Sequence, residues 1–72
     1  MIENEIELKL CKEIRSRRKE AGLTLSGLAK RSGLPLEMLE ELERGKIPEE
    51  MIVDDAAALA DVFQCKIWEL FD

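Results

Sequence analysis

Seventy-two residues make one domain near the lower size limit for a self-supporting core, for which a partner subunit would be a help. Nearly half of them (46%) are hydrophobic, but only Phe63, Trp68 and Phe71 are aromatic, so aliphatic packing between helices should dominate. No apolar run approaches the roughly 18 residues of a membrane span, and the acidic start MIENEIELK is unlike a secretory signal or transit peptide, so the expected location is cytoplasmic.

Chemistry is scarce. With no histidine and no C-x-x-C pair, neither a structural zinc site nor any other metal or cofactor site is expected. Cys11 and Cys65 fall at apolar positions and read as reduced packing residues rather than a disulfide framework. No nucleophile lies beside a base, and no glycine-rich loop offers to cradle a phosphate. The chain therefore reads as a non-enzyme without a small-molecule substrate.

The net charge of −5 hides an asymmetry. Residues 9–31 hold eight basic against two acidic side chains, a net of +6, whereas residues 37–72 hold three against eleven, a net of −8. Two solvated helix faces are one explanation. A basic patch that meets phosphates or an acidic partner is the other.

Taken in order, the first helix should begin after Asn4, an N-cap residue, with Glu7 completing a capping box and Met1 to Glu3 frayed. Ile6, Leu10, Cys11, Ile14 and Ala21 form its apolar stripe, Lys12, Arg15 and Lys19 a basic face, and Gly22 its end. Thr24 caps a second helix over 25–32, which carries Gly27 at a cost of about 1 kcal/mol relative to alanine. The turn Gly33-Leu34-Pro35 leads to a third helix over 36–44 that stops at Gly45. Leu28, Ala29, Leu39 and Leu42 face inward, and the small Ala29 lets the two helices cross closely as a helix-turn-helix unit.

A fourth helix starts either at Pro48 or near Ile52, with Asp54 and Asp55 favouring the later start through the helix dipole. Its inner face should comprise Val53, Ala56, Ala57, Leu59, Ala60 and Phe63. After a break at Gln64-Cys65, Lys66 to Phe71 forms the last helix. The expected architecture is all-α: a compact five-helix bundle with the helix-turn-helix at helices two and three, filling 1–72 as a single domain.

Four segments carry a resemblance: I-R-x-x-R-K-E-x-G-L-T (Ile14 to Thr24), L-A-x-x-x-G (Leu28 to Gly33), L-x-x-L-E-R-G-K (Leu39 to Lys46) and W-E-L-F (Trp68 to Phe71). Together they make the chain, over about 9–71, resemble the phage repressor and Cro-type (Xre-like) helix-turn-helix family. The resemblance implies a lambda-repressor-like DNA-binding domain and a transcriptional regulator that binds double-stranded DNA. It implies a partly buried ion pair, Arg18 with Glu43, that joins helices one and three. It places the DNA-facing positions at Leu25, Leu36, Glu37, Met38, Glu40 and Glu41, with Arg15, Lys30, Arg44 and Lys46 left to hold the flanking backbone. It also implies a homodimer built with the last helix. There Trp68 is the candidate contact, and Leu70 and Phe71 are expected in the core.

The residue chemistry at the DNA-facing positions tempers that picture. Leucine cannot donate to a base edge, and glutamate accepts only from the cytosine amino group while the phosphates repel it. DNA binding through such a face should be weak or assisted. The alternative is a protein-interaction module of the same fold, a partner-binding or antitoxin-like component. Leu25, Leu36 and Met38 would then form an exposed apolar cluster rimmed by glutamates, unless Leu36 and Met38 tuck against helix two.

Overall fold

A computed structural model describes residues 5–71. Four α-helices, α1 (Glu5–Glu20), α2 (Leu25–Ser32), α3 (Leu36–Glu43) and α4 (Val53–Phe63), are followed by a single 3-10 turn at Ile67–Leu70. The expected all-α class holds, but the fifth α-helix does not form. The segment tightens into i to i+3 geometry instead, with Glu69 N–H on the Lys66 carbonyl and Phe71 N–H on that of Trp68. The Glu69 carboxylate accepts the Lys66 N–H at 3.0 Å, and Leu70 is fully buried. The expected cap Asn4 and the frayed Met1 to Glu3 lie outside the described residues, as do the side chains of Ile6 and Glu7.

One apolar cluster holds the elements together: Leu10, Cys11 and Ile14 from α1, Leu28 from α2, Leu39 and Leu42 from α3, Leu59 and Ala60 from α4, and Leu70. The α1 positions follow the spacing that sets residues three and four apart on one helix face. Cys65 is half-buried, and that burial pushes its thiol pKa up.

Four expected core positions face outward. Ala21 is exposed because α1 ends at Glu20 and leaves it in the connecting turn. Ala57 is exposed, one residue off the 56-59-60-63 stripe. Val53 shares that stripe's register but is 73% exposed, since the first turn of α4 runs past the edge of the core. Phe71 is also largely exposed, beyond the buried Leu70.

The helix-turn-helix is ended cleanly by local chemistry. Thr24 Oγ1 accepts the Gly27 N–H at 3.0 Å. Gly33, at φ +78°, donates its N–H to the Ala29 carbonyl at 2.8 Å. Pro35, in extended conformation, precedes the first residue of α3. That helix stops at Glu43, one residue short of the predicted end, with Arg44 as its cap. The start of α4 is the later of the two considered: Ile52 stands at the N-cap, and the Asp55 carboxylate accepts its N–H at 3.0 Å.

Candidate nucleic-acid interface

The orientation of α3 on α1 is set by a charged clasp. Arg18 Nε donates to Glu43 Oε2 at 3.0 Å and its Nη2 to Oε1 at 3.3 Å, while Nη1 donates to the Leu23 carbonyl at 2.7 Å. The two side chains are only 15% and 18% exposed. A forked guanidinium on both oxygens of a carboxylate gives direction as well as attraction. The clasp therefore ties the last residue of α3 to α1 and to the loop that begins α2.

Arg15 joins it. Its Nη2 donates to the Glu43 main-chain carbonyl, and its Nε lies 3.6 Å from Glu43 Oε1. A cation at a helix C-terminus also meets the negative end of the dipole. Arg15 is thus already engaged, although it is exposed like Lys30, Arg44 and Lys46. This engagement was missed in the sequence, where the two partners stand 28 positions apart. The usable signal was the three-residue spacing of Arg15 and Arg18, which sets both on one face of α1.

The outer side of α3 carries Leu36, 41% exposed, beside the exposed Glu37 and Glu40 and the half-buried Glu41. Met38 does not belong there: it is 5% exposed, buried on the same side of the helix as Leu42, four residues on. Leu25 is half-buried and packs against the core. The expected apolar cluster therefore reduces to Leu36 alone. The eight residues of α3 include four glutamates and no basic side chain. Away from this face, Trp68 is 60% exposed, with the Lys66 ammonium 5.5 Å from its ring centroid.

Two short helices joined by a left-handed turn at Gly33, the second clasped to α1, with exposed cations on and after them, make a helix-turn-helix domain. The family model described as Cro/C1-type HTH DNA-binding domain matches residues 13–72, and the chain belongs to that family. No curated protein sequence matches it. The family is one of DNA-binding regulators, so duplex DNA is the general class of partner for this domain. No helix among the described residues is long and apolar enough to cross a membrane.

Proposed function

We propose that this chain is a transcriptional regulator that holds duplex DNA mainly by its phosphates and reads bases weakly. The supporting observation is the contrast at the helix-turn-helix. Lys30, Arg44 and Lys46 stand exposed beside α2 and α3, while the face between them offers Leu25, Leu36, Glu37, Glu40 and Glu41. Phosphate contacts position a protein without carrying sequence information. Arg15 adds to this grip only by leaving Glu43. The test is titration against random duplex DNA across a salt series. With three phosphate contacts, log K should fall with log salt at a slope of about −3. Absence of binding at low salt overturns the reading.

A second reading uses the same face for a protein partner with a basic surface, and the exposed Leu36 beside Glu37 and Glu40 favours it. Leu36→Lys separates the two. If α3 faces DNA, the variant binds random duplex more tightly, because a repelling face gains a cation. If α3 holds a basic partner, the variant loses that partner while its helix content is unchanged.

A further inference from the structure

The six cations that α1 carries from Lys9 onward divide into two sets. Three hold the fold together: Arg17 pairs with Glu13 at 2.8 Å, and Arg15 and Arg18 are joined to Glu43. The other three, Lys9, Lys12 and Lys19, stand exposed. Lys12, the exposed Ser16 and Lys19 lie four and three residues apart, so they follow one line along α1, opposite the buried Leu10 and Ile14. That line is about 10 Å long, the axial distance of about three phosphates on one DNA strand. Arg15 flanks it and reaches the Glu43 carbonyl at the end of α3, so the line borders the point where Arg44 and Lys46 follow.

We infer that this face of α1 is a second phosphate-holding surface, which takes the backbone of the duplex beyond the end of α3. The inference rests on the regulator reading and enlarges its interface from the helix-turn-helix onto the helix before it. Charge polarity points the same way. Residues 9–31, most of α1 and α2, carry a net of +6, against −8 from Glu37 onward. Phosphates are drawn to the first half and repelled by the α3 glutamates, so a duplex leans towards α1 instead of seating fully on α3.

The residue types suit a backbone. Lysine is a point charge on a flexible stem that needs no fixed approach to a phosphate, and a serine hydroxyl between two lysines can donate to one. Two other occupants fit this face less well. A protein partner needs large side chains at the centre of the contact, and the exposed large hydrophobics of the described residues all lie outside α1. A single strand needs aromatic rings on which its bases stack, and α1 has none.

Salt dependence counts the contacts, because each neutralised phosphate steepens the fall of log K with log salt by about 0.9. Lys30, Arg44 and Lys46 alone give a slope of about −3, and Lys12 and Lys19 bring it to about −4.5. Titration of the full chain against random duplex DNA across a salt series should show the steeper value. Lys12→Gln and Lys19→Gln should each make it shallower by about 0.9, and the double variant should return it to about −3. Lys66→Gln removes the same charge beyond the end of α4 and should leave the slope unchanged. All three lysines are exposed, so circular dichroism should show the helix content of the parent in every variant. A parent slope of about −3 that neither α1 variant changes overturns this inference and leaves the regulator reading standing. So does a slope made equally shallow by Lys66→Gln, which reports net charge and not contact. Absence of duplex binding at low salt overturns the regulator reading and this inference with it.

Discussion

Two helices in this molecule meet the same geometric demands by different means. α2 begins on a threonine whose hydroxyl takes a main-chain N–H and ends on a glycine at φ +78°. α4 begins on Ile52, which has no side-chain acceptor, and ends on Gln64 at φ +56°, a left-handed conformation in a residue with a Cβ. α2 is thus delimited by residues that suit its ends locally. α4 is delimited by its neighbours: Ala56, Leu59 and Ala60 are buried against the other helices, and its terminal residues accept what that packing imposes. α2 carries its own punctuation at both ends, while α4 has only the Asp55 carboxylate at its start and a strained residue at its end.

The largest effect should come from the clasp that fixes α3. Glu43→Ala would leave Arg18 without its carboxylate at a position 15% exposed, at a cost of about 2–3 kcal/mol. Glu40→Ala, on an exposed surface, should change stability by less than about 0.5 kcal/mol. In a domain of this size each kcal/mol moves the Tm by about 4–8 °C, so thermal melts of the two variants separate the outcomes. Equal Tm values would mean that α3 is held by its apolar face alone.

Next in size is the pair of helix ends. Gly33→Ala should cost about 1–2 kcal/mol from the left-handed backbone, since a Cβ there meets nothing within 4 Å and sterics add nothing. Gln64→Gly should do the reverse and stabilise by about 0.5–1 kcal/mol, the relieved backbone strain less the extra entropy that glycine loses on folding. Urea unfolding of both variants reads the two signs directly. A Gln64→Gly variant no more stable than the parent would show that the side chain offsets its own strain.

The same division explains what could be read in advance. Leu28, Leu39 and Leu42 were legible because helical spacing alone selects them, and Gly33 because little else fits a left-handed turn. Met38 was misplaced because the inner face of an eight-residue helix is decided by what packs over it, and two turns carry too little pattern to show that. Val53 was misplaced for a related reason: periodicity gives a residue's angle around the helix but not whether the core reaches that far along it. The closing 3-10 turn depends on Leu70 being pinned in the core, a contact made across the whole chain. Arg15 read as a phosphate holder because its charge is visible in sequence, whereas the Glu43 carbonyl that occupies it is visible only in three dimensions.

The smallest effects lie at the helix starts. Thr24→Ala removes the hydroxyl that accepts the Gly27 N–H and should cost about 1 kcal/mol. Ile52→Ser supplies the acceptor that α4 lacks. The Asp55 carboxylate already takes the main-chain N–H of residue 52, so a hydroxyl there would complete a reciprocal capping box, worth about 0.5–1 kcal/mol. That gain should appear as a higher Tm in thermal melts. If the side chain of Ile52, 59% exposed, does nothing for the helix end, Ile52→Ser must stabilise the fold where Thr24→Ala weakens it. A variant no more stable than the parent would show that the apolar contacts of Ile52 beside Ile47 and Met51 offset the missing cap.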